Sequence, residues 1–105
     1  MEQMHKTILE LAAEAVTGDR RRDYGSPKEN HERISILWNA YISCRDKDLG
    51  EPITALDVAN MMILLKIARS CNTPTKDTYI DIAGYAQCAA EISGFGEQKG
   101  GSNGW

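Results

Sequence analysis

From Thr54 to Arg69 the chain reads TALDVANMMILLKIAR, and its apolar residues point in nearly every direction of a helix advancing about 100° per residue. A helix that is apolar all round is buried, either by its own domain or by a partner subunit. Only Asp57, Asn60, Lys66 and Arg69 interrupt it. Burying a charge is unfavourable unless another group pairs with it or a ligand solvates it. Each of these four must therefore find a partner within the chain, in a second copy or in something bound.

The flanking patterns are also helical. Over residues 3–17, Met4, Ile8, Leu11, Ala12 and Ala15 share one face and Lys6, Glu10 and Glu14 the other, which predicts an amphipathic helix ended by Gly18. Gly18 to Pro27, GDRRRDYGSP, predicts a basic loop. Ser26, Pro27 and Glu29 then supply the N-cap, the first helical position and the reciprocal acid of a capping box. The helix they open runs to about Cys44, with a stripe of Ile34, Leu37, Trp38 and Tyr41 that reaches back to Asn30 and His31. A charged connector, 45–53, leads to the central helix, where Thr54 and Asp57 repeat the capping-box spacing. SCNTPT predicts a turn, and Lys76 to Ser93 the last helix, packed through Ile82, Tyr85, Ala86, Ala89 and Ile92 and stopped by Gly94.

No strand-like alternation or internal repeat competes with this reading. The predicted fold is all-α, a four-helix bundle-like single domain over residues 1–95, followed by a flexible tail, 96–105, rich in glycine. At 105 residues, such a domain is expected to complete its burial as a homo-oligomer.

Charge and cysteine content narrow the function. A net charge of −3 gives no generic affinity for nucleic acid or membrane surfaces, and no apolar run is long enough to span a membrane. The N-terminal stretch carries acids where a signal peptide would be apolar. Cys44, Cys71 and Cys88 are widely spaced, with no CxxC, which points to a reducing cytoplasm and against a disulfide framework or zinc site. There is no P-loop, GxGxxG, HExxH or GxSxG, so nucleophilic catalysis has no candidate.

Two sets of side chains remain. Arg20, Arg21, Arg22, Lys66 and Arg69 are candidate phosphate grips, since guanidinium groups meet phosphate oxygens in a bidentate way. Tyr24, beside Gly25, offers a stacking ring where backbone comes close. Glu29, Glu32, Asp57, Asp77 and Asp81 are carboxylates able to hold a hard cation if gathered on facing helices. Each also has a purely structural use. The three arginines suit a solvated turn, Glu29 and Asp57 suit caps, and Asp77 suits a helix N-terminus. His31 suits a satisfied boundary histidine. Asp81, inside the last helix at the margin of its packed face, would pair with Lys66 or Arg69 or hold a cation.

The segments RRRDYGSPKENHERI, ITALDVANMMILLKIAR and DTYIDIAGYAQCAAE resemble a family of small all-α proteins common in phages and prophages, related in appearance to nucleotide-modification-associated domains. More distantly, the layout is similar to the MazG-like all-α nucleoside triphosphate pyrophosphatases, which bind magnesium through EExxE and ExxD motifs. That likeness would place the metal on Glu29, Glu32, Asp77 and Asp81. The carry-over is partial: Lys28 or Asn30 stands where the adjacent acid of the doubled pair belongs, and Thr78 where the ExxD glutamate belongs.

Three functions are therefore expected in turn. The first is a phage-type binding protein that holds, or sequesters, a nucleotide or cyclic nucleotide-derived signal between helices or subunits and needs no intact metal cluster, with magnesium the one cofactor to consider. Its ligand contacts would be Arg20, Arg21, Arg22, Tyr24, Asn30, His31, Lys66, Arg69, Asp81 and Tyr85. The second is a magnesium-dependent nucleotide pyrophosphatase. The third is a structural or protein-binding bundle whose charges pair with one another.

Overall fold

The computed structural model describes residues 5–45 and 50–95, and they form an all-α fold with no strand among them. The helices are α1 (Ile8–Thr17), α2 (Asp19–Tyr24), α3 (Pro27–Arg45), α4 (Ala55–Ser70) and α5 (Lys76–Ile92). Four are the expected ones. The fifth, α2, lies where a loop was predicted: Gly18 and Gly25 punctuate both ends of a six-residue helix rather than an irregular segment. Gly25 has φ 85°, a left-handed conformation that a residue with a Cβ adopts only under strain.

Helix starts follow the caps. Thr7 accepts from the Glu10 N–H (3.1 Å) while Glu10 accepts from the Thr7 N–H (2.8 Å), so α1 begins at Ile8 and not at residue 3. The reciprocal pairs Ser26/Glu29 and Thr54/Asp57 open α3 and α4 as predicted. Thr75 caps α5 by accepting from the Thr78 N–H. Met4 and the expected tail, 96–105, lie outside the described residues.

The body is α3, α4 and α5, with α4 packed most extensively on α5 and next on α3. Ile34, Ala59, Met61 and Ala68 form the buried apolar core. Polar links fix the α3–α4 crossing. The Trp38 indole N–H donates to the Met61 carbonyl (2.7 Å). The Tyr41 hydroxyl donates to Asp57 (2.7 Å) and accepts from the Asn60 amide (3.1 Å). Arg45 pairs with Asp57 and donates to the Pro52 and Glu51 carbonyls, clamping the end of α3 to the start of α4.

Burial is thinner than the pattern of α4 predicts. No large side chain among the described residues is fully enclosed, and Val58 and Ile67 of α4 are exposed. On α5 the expected packed face is only half covered, with Ala86 and Ile92 exposed. On α1 no residue is buried. The apolar periodicity is present, but the described residues supply too few opposing surfaces to cover it. No described helix is long and apolar enough to cross a membrane.

Candidate functional site

Three of the four polar residues of α4 are partnered inside the chain. Asp57 has Tyr41, Arg45 and the Thr54 cap, which together hold its carboxyl at about 2. Asn60 has Tyr41. Lys66 pairs with Asp81 of α5 at 3.0 Å. Arg69 alone has neither an ion pair nor a hydrogen bond among the described residues, and its Nε is buried without a partner. Its guanidinium carbon lies 4.3 Å from the centre of the Tyr24 ring, a cation–π contact that leaves the positive charge uncompensated.

Tyr24 is brought there by long-range capping of α2. The Asn72 amide, from the turn after α4, donates to the Arg22 carbonyl (3.0 Å) and the Asp23 carbonyl (2.8 Å). Arg33 of α3 donates to the Tyr24 carbonyl (3.3 Å). These contacts satisfy the carbonyls that a short helix leaves open and tie α2 to the body. Glycine is favoured at position 25 by its φ of 85°, and a Cβ there would also push on the Asn72 side-chain oxygen at 3.1 Å.

The result is a cleft of about 230 Å³ between α1, α2, the start of α3 and the end of α4. Arg20, Arg21, Tyr24, Asn30, His31 and Arg69 line it, with Ala15, Val16, Gly25 and Pro27, and no carboxylate is among the lining residues. Asn30 is 5% exposed, and its side-chain oxygen is buried without a hydrogen bond. A buried amide left in that state costs stability, unlike the many buried polar groups that fold with a partner. The His31 Nδ1 donates to the Pro27 carbonyl (2.6 Å), so Nε2 is the free ring nitrogen. Neither Arg20 nor Arg21 has an ion pair among the described residues.

The structure thus gathers six of the ten predicted ligand contacts. Arg22 is turned away, against Asp19 and Asp23 at 3.5 Å each. Lys66, Asp81 and Tyr85 lie on the α4–α5 side of the molecule, where Asp81 and Tyr85 border a different depression. Asn72 and Arg33 were missed, because an asparagine in a turn carries no sign of which distant carbonyls it caps.

The carboxylates set out for magnesium are dispersed. Glu29 is drawn back to Ser26, whose hydroxyl and N–H lower its pKa. Glu32 pairs with Lys28 at 3.0 Å and Asp81 with Lys66, while Asp77 sits in the first turn of α5. Among the described residues no three His, Cys, Asp or Glu side chains come close enough to share a metal ion, so this donor set does not fit magnesium.

Fold and cleft define a small all-α protein with an acid-free, arginine-lined pocket at one end of its central helix. The chain belongs to a family described as a domain of unknown function (DUF6378), which matches residues 7–93 and so takes in all five helices. It is 53% identical over 81 residues to the Gene 55 protein of Mycobacterium phage L5, covering 76% of this chain and 48% of that protein. It is 41% identical over 90 residues to the Gene 55 protein of Mycobacterium phage D29, covering 85% and 55%. The chain spans about half the length of these curated relatives. No solved structure matches it. The relatives agree with the phage side of the resemblance, and nothing in them links the chain to nucleotide-modification or MazG-like domains.

Proposed function

We propose that the protein binds a nucleotide, or a cyclic nucleotide-derived signal, in the cleft between α1, α2, α3 and α4, and holds it without turnover in the cytoplasm of the host cell. The observation that carries this reading is the uncompensated Arg69. A half-buried guanidinium with no counter-charge among the described residues, beside Arg20 and Arg21 and with no acid in the lining, favours an anionic guest. Phosphate oxygens would take the guanidinium N–H groups. Tyr24 supplies aromatic surface for a base, and Asn30 an amide for its polar edge. At about 230 Å³ the cleft lies below the roughly 300–1,000 Å³ of ligand-enclosing sites, so it would take the phosphorylated end of a nucleotide and leave part of the guest outside.

The test is calorimetry against inorganic pyrophosphate and a panel of mono-, di- and cyclic nucleotides. It is run beside mass spectrometry of small molecules released by heating the purified protein. Saturable binding of at least one phosphorylated compound, lost in Arg69→Met, is the expected result. No saturable binding across the panel overturns the proposal. Magnesium and nucleoside triphosphates are included, and the triphosphates are expected to remain intact; release of pyrophosphate would favour the hydrolase instead.

A further inference from the structure

Charge separates the two kinds of guest that the cleft would take, an open nucleotide and a cyclic one. Arg20 and Arg21 of α2 and Arg69 of α4 bring three guanidiniums to the lining, and no carboxylate stands among the lining residues. The acids of the surrounding helices are engaged elsewhere. Asp19 and Asp23 lie against Arg22, Glu29 turns back to Ser26, and Glu32 pairs with Lys28. Glu14 of α1 pairs with Lys6. Among the described residues the positive charge of the cleft is therefore left for the guest to balance.

A phosphate closed into a ring is a diester, with about one negative charge and only its non-bridging pair of oxygens to offer. A terminal phosphate carries about −1.5 to −2 and has a further acceptor oxygen. A terminal diphosphate adds the phosphate behind it, about three charges in all, and so matches a set of guanidiniums that each fork to a pair of oxygens. His31 points the same way. Its Nδ1 is committed to the Pro27 carbonyl, which leaves Nε2 for a guest. Neutral, that nitrogen accepts a hydrogen bond; protonated, it donates one. A terminal phosphate, which loses its last proton at about pH 6, can share that proton with Nε2, whereas a diester has none to share. Size agrees, since about 230 Å³ admits a phosphorylated end and does not enclose a ring of linked nucleotides.

We infer that the cleft takes the terminal diphosphate of an open nucleotide in preference to a cyclic phosphodiester. This preference rests on the cleft being the nucleotide site proposed above. Arg20, Arg21 and Arg69 divide the diphosphate oxygens among them, and His31 Nε2 meets the terminal phosphate.

Calorimetry of the full chain at one pH and about 0.1 M salt, where loose surface attraction is screened, compares cyclic AMP, AMP, ADP and inorganic pyrophosphate. With base and sugar held constant, affinity is expected to rise about tenfold from cyclic AMP to AMP and about tenfold again to ADP. Pyrophosphate is expected to displace ADP. ADP binding tighter than pyrophosphate assigns the diphosphate to a nucleotide, and equal affinities assign it to the free anion. Arg20→Gln/Arg21→Gln replaces exposed side chains, so helicity by circular dichroism is expected to hold, with Arg21→Gln alone as the milder substitute. The double variant is expected to shrink the gap between ADP and cyclic AMP to about tenfold or less. His31→Ala is expected to narrow the step from cyclic AMP to AMP. Cyclic AMP binding as tightly as ADP, or a gap that both variants leave intact, overturns the inference while the cleft stands as a nucleotide site. Failure of all four compounds to bind removes that site and the inference with it.

Discussion

The Arg69 guanidinium stands over the Tyr24 ring at 4.3 Å, joining the end of α4 to a short helix that precedes it by two elements. The stack fixes the plane of the guanidinium but gives its charge no counter-ion, so Arg69→Met is expected to disturb the fold little. It removes charge-assisted hydrogen bonds worth about 1.5–3 kcal/mol, which is roughly a 10–150-fold loss of affinity for a phosphorylated ligand. Arg69→Lys keeps the charge but not the planar fork, and is expected to fall between the two. Calorimetry of the three proteins checks the order. Equal affinities would show that Arg69 does not touch the ligand.

Asn30 separates stability from binding. Its buried oxygen lacks a partner, so the near-isosteric Asn30→Leu removes an unsatisfied group and is expected to leave the melting temperature unchanged or raise it. The same change takes an amide from the cleft lining and is expected to weaken nucleotide binding by about tenfold, the value of one hydrogen bond. A loss of stability without loss of affinity would make Asn30 a structural residue.

What the sequence disclosed depended on range. The Ser26/Glu29 and Thr54/Asp57 caps were legible because acceptor and donor lie three residues apart, inside one turn. Thr7 and Glu10 carry the same spacing, and reading it would have placed the start of α1 correctly. The helix α2 was not legible, since its open carbonyls are satisfied by Asn72 and Arg33 from far along the chain. The question posed by four polar residues on an apolar helix was visible at once. That Asp57, Asn60 and Lys66 are answered internally and Arg69 is not depends on which helices approach, and only the structure gives that.

The Lys66–Asp81 pair is lopsided, and its mutants should be as well. Lys66 is 14% exposed at its side chain and Asp81 45%. Asp81→Leu strands a mostly buried ammonium, whereas Lys66→Met frees a carboxylate that water already reaches. Asp81→Leu is therefore expected to destabilise more than Lys66→Met, with the double mutant relieving part of its cost. Solvent access on the aspartate side limits the coupling to about 1 kcal/mol or less. Denaturant unfolding of the four proteins measures it. Nucleotide affinity is expected to be unchanged throughout, because neither residue lines the cleft.

Asp57 sets an acid limb on stability. The Tyr41 hydroxyl, the Thr54 cap and Arg45 lower its carboxyl from the ordinary 3.8 to about 2 in the folded protein. A group whose pKa is lower folded than unfolded stabilises the fold above the unfolded value, and that contribution disappears as pH falls through the folded one. The melting temperature is therefore expected to decline between pH 4 and 2 as Asp57 protonates. Glu10 and Glu29, held down by their own caps, add to the same decline. Asp57→Asn isolates its share, since the variant should be less stable at pH 7 and show a flatter acid limb. Tyr41→Phe removes the largest single cause and is expected to move the Asp57 midpoint upward, which carboxyl NMR titration reads directly. A midpoint that does not move would mean that Arg45 and the Thr54 cap suffice to hold the ionised form.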